Sequence, residues 1–543
     1  MEHADVDTAR KEAAEEAKKQ DFAMKHLDTA QGDEKIAKSR NYPWETPPPP
    51  IPESEISETV DTEVVIVGGG ISGLAAGARC AELGLKVTVL EKTGGYVAHG
   101  SHLATVGSDI QRANGVHIDK AQFVREWMRI CGSRVNEDLL WLYANRSEEA
   151  FDWLRKMGGD NMEALLFGAY YRGPDFTELP GTHIIKRTEN SKYRLSGALL
   201  VCEICEDTII SNGGKVIRKT RAVQLEKKDG RVSAVIAQGE DGKYRRFTGS
   251  RGIVLATGDI GSDRDMLEHF SPIGMIPQHD GYFPHGINTG DGHKMGRWVG
   301  GEFEPAPWAL SLHLVAYGMF CFLFLHVNRQ GNRYMNEDTW CQAKSIRTMM
   351  QKDGSWAYSI FDADWVEDVA RYAPISGGQF TDSMIAEYGK PWMDYADSIK
   401  KEIDRYIQAG TCVVADTLEE LAVKMDVPVD NFLKTVARYN EHYKNGVDAD
   451  YGKRAELLTG IDKPPYYALK FGPSLLNVFG GFITDTKMHV LDKDRNPIPG
   501  LYATGMIAGG LYGVDYPLLF SGNSHGRCIT WGLVLGEVLA SGG

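Results

Sequence analysis

Cysteine is scarce, with 8 among 543 residues, so the chain does not read as a disulfide framework. Cys202 and Cys205 form one C-x-x-C within "ALLVCEICEDTII". With no second pair and no histidine partner, they read as core packing on an amphipathic helix, and no metal is expected. C-x-x-C-H is absent, which excludes attached c-type haem. Basic residues are outnumbered, 60 Lys and Arg against 74 Asp and Glu, for a formal net charge of −14. That balance argues against nucleic acid as a general partner, because phosphate binding needs clustered cations. No run of about twenty apolar residues occurs, so no membrane span is expected. The longest apolar stretch, Leu310 to Val327, carries two histidines and reads as a buried wall. The N-terminus lacks an apolar signal core. The expected location is cytoplasmic, with an exported form whose leader has been removed left open.

What is present is ordinary globular composition, 42% hydrophobic and 25% charged, at a length that implies two or more domains. Residues 1–60 read as a charged helical arm followed by the proline linker "NYPWETPPPPIPESE". The folded body is expected to begin near Asp61. Residues 61–295 and 471–543 read as the two parts of one α/β domain, with 296–470 as an insertion of helices and loops. Asp229-Gly230 signals a hairpin between two strand-like runs.

Gly68, Gly70 and Gly73 form G-x-G-x-x-G directly after the strand "EVVIV" and before a helix. That context identifies a dinucleotide site, where glycines admit a pyrophosphate to a helix N-terminus. Glu91 ends the next strand, at the distance where an acid meets a ribose 2′-hydroxyl. Two late strands, "IVLATGDIGSD" and "GLYATGMIAGG", each end in Ala-Thr-Gly. A glycine-rich segment near the C-terminus, "GGLYGVDYPLLFSGNSHG", holds Tyr516-Pro517 within backbone that something must approach closely.

These segments, with "NTGDGHKMGRWVGGE", "VNRQGNRYMNEDT", "VARYNEHYKNGVDADYGK" and "GGFITDTKMHVLDKDRNPIPGLYATG", resemble the fumarate reductase and 3-ketosteroid dehydrogenase flavoprotein superfamily. The resemblance runs from about residue 62 to 540. It implies a Rossmann-like FAD domain with an inserted α+β capping domain, non-covalent FAD, and substrate held between the two over the flavin ring. Flavin contacts implied besides the glycines and Glu91 are Lys92, Gly100, Ser101, Ala222, Val223, Thr257, Gly258, Asp291, Gly505, Asn523 and Ser524. His99 and His102 fall near the flavin, but the superfamily's histidine attachment motif is not reproduced.

The chain departs from the fumarate pattern where that pattern needs charge. Thr339, Trp340 and Cys341 stand where the acid arginine is expected, Asn477 and Tyr512 replace two histidines, and Tyr516 falls on or near the carboxylate-binding arginine. Met506 replaces a common flavin-contact acid. A dicarboxylate there would be desolvated and unpaired, which argues against fumarate or succinate. Tyr516-Pro517 instead resembles the tyrosine-proline element of the ketosteroid enzymes, which implies Tyr516 and the Gly522 N–H as an oxyanion pair for a 3-carbonyl. Candidates for the second acid–base group are Tyr170, Tyr171, Tyr282 and Tyr317, with His285 and His525 at the rim. The expected activity is reduction of a carbonyl-conjugated C=C bond in an apolar 3-oxosteroid or bile-acid-like compound, with an unassigned electron donor or acceptor. Two alternatives are a reductase of an aryl acrylate, using Arg172 or Arg527, and an electron-transfer subunit docking through its N-terminal arm.

Overall fold

A computed structural model describes residues 42–168, 171–174, 176–277, 279–315, 323–352, 356–376 and 392–542. The helical arm expected over the first forty residues lies outside them. The chain divides into two compact units, Met1–Thr46 and Pro47–Gly543. In the first, the described residues form a short 3-10 turn, Pro43–Glu45.

The second unit is built on an eight-stranded sheet: β1 (Ile56–Val67), β2 (Val87–Leu90), β6 (Lys215–Ile217), β7 (Arg221–Lys228), β8 (Arg231–Gln238), β9 (Tyr244–Leu255), β16 (His489–Leu491) and β17 (Pro497–Ala503). Its main path runs β16-β17-β9-β1-β2-β6, with β8 on β9 and β7 on β8. The β1 pairings to β2 and β9 are parallel, as is β17 to β9. The last four residues of β1, Val64 to Val67, are all buried, as a strand covered on both faces requires. Regular pairing begins at Ile56, earlier than the Asp61 expected, because "ISETV" extends the β1–β9 ladder. The Asp229-Gly230 turn forms as expected between β7 and β8, with φ of 51° and 79° at the two residues, the left-handed pair that a tight hairpin needs.

Three more strands, β3 (His102–Ala104), β4 (Met162–Gly168) and β5 (Thr182–Arg187), make a small antiparallel sheet. A third sheet gathers β10 (His279–Asp280), β11 (Ala309–Val315), β12 (Leu325–Val327), β13 (Ala357–Phe361) and β14 (Cys412–Ala415) around the long β15 (Tyr466–Phe479). Among the described residues, the stretch read as helices and loops therefore also contains the strands β11 to β14 and the start of β15, paired with partners far away in sequence. Cys202 and Cys205 are free and buried on the helix Ala198–Ser211.

One irregularity in the third sheet shapes the site. The β11–β15 register pairs Ser311 with Asn477 and then Leu312 with Leu475, so Leu476 has no partner. Such a bulge re-aims side chains locally, and adjacent residues Leu476 and Asn477 both reach the same cavity.

Candidate functional site

The carboxyl ends of β1, β9 and β17 open onto one long cavity, where open α/β sheets bind ligands. After β1 the chain turns at Gly68, φ 113°, where a Cβ would lie 2.2 Å from the Ala256 carbonyl oxygen. At Gly73 a Cβ would lie 2.0 Å from the Gly68 carbonyl oxygen, so only glycine lets loop and helix close on each other. The helix Ile71–Glu82 starts at Gly70 without a side-chain cap, leaving its first N–H groups for an anion. Glu91 lines the cavity while its carboxylate braces the turn, accepting from Gly69 N and Thr93 N at 2.7 Å each. Lys92 Nζ donates to Ile287 O (2.5 Å), Thr289 Oγ1 (3.2 Å) and Asp291 Oδ2 (3.3 Å). Arg221 forks onto Asp291 at 3.0 and 3.1 Å. Burial alone would push the Asp291 carboxyl up, but Arg221 and Lys92 hold it below the usual carboxylate range.

Of the residues expected around the flavin, Gly68, Gly70, Glu91, Lys92, Gly100, Ala222, Thr257, Gly258, Asp291 and Ser524 line this cavity. Gly73, Ser101, Val223, Gly505 and Asn523 do not. Gly73 packs beneath the loop, and the Ser101 carbonyl accepts from Ile185 N at 2.9 Å. Val223 yields to its neighbour Ala222, and Met506 rather than Gly505 faces the cavity. Asn523 is buried and donates to Pro517 O (3.2 Å) and Phe520 O (2.8 Å), which fixes the segment before the last helix.

The other end of the cavity is walled by β11, β15 and the start of the helix Asn523–Ser541. Tyr516 and Gly522 both line it. The Tyr516 ring stacks on Phe479, with centroids 4.5 Å apart and planes 5° apart. Burial pushes the Tyr516 pKa up, and the neighbouring Ser524 hydroxyl and backbone N–H offset part of that rise.

Tyr171 is not part of this wall. Its hydroxyl donates to Asp338 O (2.8 Å) and Oδ1 (3.0 Å), a packing arrangement away from the cavity. Tyr170 and Tyr317 lie outside the described residues. Tyr282 does line the cavity, its ring edge-on to His99 at 4.6 Å. His285 is exposed beside Asp280 (3.4 Å) and stands off the lining. Arg172 donates to Glu178 Oε1 at 2.9 Å, and Arg527 is buried; neither lines the cavity.

Four histidines, His99, His102, His313 and His525, face the cavity. Burial pushes His102 and His313 down to about 4, and His99 and His525 downward too. His525 Nδ1 donates to His102 O at 2.7 Å, so its neutral ring presents Nε2 as an acceptor. Lys92 and Arg221 are the Lys and Arg side chains among the lining residues, and both are occupied by Asp291. At neutral pH, therefore, no cation among the described lining residues faces the Tyr516 end.

Sequence reasoning did not find Asn288, Ser311, His313 or Asp259. Asp259 is fully buried behind the wall and accepts from Asn477 Nδ2 (2.9 Å), Gly261 N (2.8 Å) and Val478 N (3.3 Å). An acid directly after Ala-Thr-Gly was the available signal. Burial raises Asp259 to about 6 despite these donors. A carboxyl whose folded pKa is raised holds its proton more tightly when folded. Its contribution to stability is full below the unfolded value near 3.8 and is lost as pH rises through 6. Asp259→Asn should remove that slope: wild type loses about 2 kcal/mol of stability relative to the variant from pH 4 to 7, readable by urea denaturation. A difference that stays flat with pH would show Asp259 ionised throughout.

A parallel strand, an uncapped glycine turn, a braced acid and two Ala-Thr-Gly strand ends define the site of an FAD-dependent oxidoreductase. Thr257 Oγ1 is a buried polar atom on this lining without a partner among the described residues, so the residues fit the cofactor. Residues 63–521 match the model of the FAD binding domain family, and the chain belongs to that family. It is an FAD-dependent oxidoreductase acting on CH–CH groups. A probable fumarate reductase of Shewanella frigidimarina is 25% identical over 498 residues, covering 89% of this chain and 75% of that protein. Vinyl phenol reductase of Lactiplantibacillus plantarum is 25% identical over 502 residues, covering 88% and 94%. In fold, the chain is similar to 3-ketosteroid-Δ4-(5α)-dehydrogenase from Rhodococcus jostii, with a TM-score of 0.69 at 23% identity over 90% of this chain and 99% of that one. Among the described residues, no helix is long and apolar enough to cross a membrane.

Proposed function

We propose that this chain reduces a carbon–carbon double bond conjugated to the carbonyl of a neutral, apolar molecule, of 3-oxosteroid or bile-acid type. The observation that carries the reading is the Tyr516 wall: a phenol on an aromatic and aliphatic surface, with neutral histidines and, among the described residues, no lining cation beside it. A carboxylate placed there would be desolvated without a partner, whereas a ketone needs only a hydrogen-bond donor.

In this reading residues 296–470 cap the FAD domain of 61–295 and 471–543, and FAD is held non-covalently. His99 and His102 support that last point, their rings packed edge-on against Tyr282 and Phe167 at 4.6 Å each. FAD bound here and reduced by the external donor would supply the hydride for the β-carbon. The Tyr516 hydroxyl and the Gly522 N–H hold the carbonyl oxygen as it takes up negative charge. Tyr282, or water, gives the proton to the α-carbon. Phe479 and Leu518 exclude water from the face of the substrate. The electron donor is external to the chain. A cytoplasmic location belongs to the same reading, supported by the seven cysteines among the described residues, all free and buried.

The aryl-acrylate alternative loses support because neither Arg172 nor Arg527 reaches the lining. Titration of the oxidised, FAD-loaded protein tests the reading. A neutral 3-oxo enone should perturb the flavin absorption band, and a carboxylate of equal size should bind at least ~100-fold more weakly. Tighter binding of the carboxylate would contradict it.

A further inference from the structure

Off the cavity lining, beside the neighbouring rings of Tyr512 and Tyr516, the last helix buries a charge. Arg527 is 1% exposed. Its Nη1 donates to Ala508 O at 3.3 Å, while Nε and Nη2 have no hydrogen-bond partner among the described residues. Glu304 feels this charge, but its carboxylate is turned to Gly510 N at 2.9 Å. The guanidinium instead lies over the Tyr512 ring, 4.8 Å from its centroid. Tyr512 in turn packs 5.4 Å from Tyr516, and both pack on Phe479 at 4.5 Å. The Tyr512 hydroxyl is likewise buried without a partner.

Burying a cation without a counter-ion is costly, and an aromatic face offsets only part of that cost. Ser524 and Arg527 stand three residues apart, so they share one side of the helix. The first lines the cavity with Tyr516 and the second lies over the neighbouring Tyr512 ring. The positive end of the helix dipole points the same way. The Arg527 charge is felt by Tyr143, Tyr512, Tyr516 and Cys528, and by Glu304, whose carboxyl burial raises to about 7. Glu304 is the acid among these groups, and its carboxylate is held by backbone N–H groups rather than by the guanidinium.

We propose that Arg527 is a positioning charge that stabilises the oxyanion formed on the substrate carbonyl, acting through Tyr516 without entering the cavity. The proposal rests on the reading of Tyr516 as the carbonyl donor. It accounts for a wall that offers nothing to a charged ground state yet favours a negative charge once one develops. A neutral substrate gains little from Arg527 before reaction, so the effect falls on kcat rather than KM.

The test uses the full-length, FAD-loaded protein with Arg527→Gln, Arg527→Met and Arg527→Lys, beside Tyr516→Phe. Two readouts are taken: turnover of a neutral enone, and the ionisation of a bound nitrophenol followed by its phenolate absorption. The neutral variants should lower kcat by roughly 10- to 100-fold with KM within about twofold. Bound nitrophenol should ionise about one to two pH units higher in them than in the wild type, and Arg527→Lys should recover most of both effects. If either neutral variant that loads FAD keeps wild-type kcat and wild-type phenol ionisation while Tyr516→Phe is impaired, the Arg527 proposal is overturned and the Tyr516 reading stands. If Tyr516→Phe is itself unimpaired, the underlying reading fails instead. Loss of function in Arg527→Lys equal to that in Arg527→Gln would assign Arg527 to packing and overturn the proposal as well.

Discussion

Tyr516→Phe lowers kcat by roughly ten- to a thousandfold while FAD stays bound. The substitution removes one oxygen and keeps the ring that stacks on Phe479 at 4.5 Å, so the packing of the wall survives. What disappears is the hydroxyl donor of a ring that lines the cavity. If that donor meets the carbonyl only weakly before reaction and strongly as charge develops, kcat falls more than KM rises. Steady-state kinetics on the true substrate checks this. A change below about twofold would reduce Tyr516 to a buried aromatic.

Gly73→Ala should have the largest effect on the cofactor. Its Cβ would stand 2.0 Å from the Gly68 carbonyl oxygen and 3.1 Å from Ala256 Cβ. Neither neighbour is the tip of a flexible side chain, so the loop or the helix must move, and with it the N–H groups that face the cavity. The variant should purify without flavin colour, and FAD should no longer raise its melting temperature, corresponding to an affinity at least ~100-fold lower. Gly95→Ala is the control, since nothing lies within 4 Å of a Cβ there, and it should load FAD normally. Normal loading by Gly73→Ala would show that the loop tolerates displacement.

The legible parts of this fold are local ones. Strand, glycine turn and helix follow one another over Val64 to Glu82, and the Asp229-Gly230 hairpin needs only two left-handed residues between two alternating runs. The strands β11 to β14 were not legible, because their edges are satisfied by β15 and by each other across long sequence separations. The same holds for the site. The glycine loop and Glu91 stand close in sequence, whereas Asp259 reaches Asn477 across 218 residues. The bulge at Leu476 leaves no mark in composition, yet it decides which side chains face the cavity. Tyr171 illustrates the converse: an aromatic in a promising segment, whose hydroxyl is claimed by Asp338 for packing. Arg527 reads in sequence as a site cation, and only the fold shows it buried over the Tyr512 ring, off the cavity lining.

The central claim is that the wall at Tyr516 grips a neutral oxygen. Anaerobic mixing of the reduced, FAD-loaded protein with matched substrates tests it most directly, one a 3-oxo enone and the other an unsaturated acid such as fumarate or an aryl acrylate. The account predicts rapid return of the oxidised flavin absorption with the enone and none above background with the acids. Return with an acid and none with the enone would contradict it.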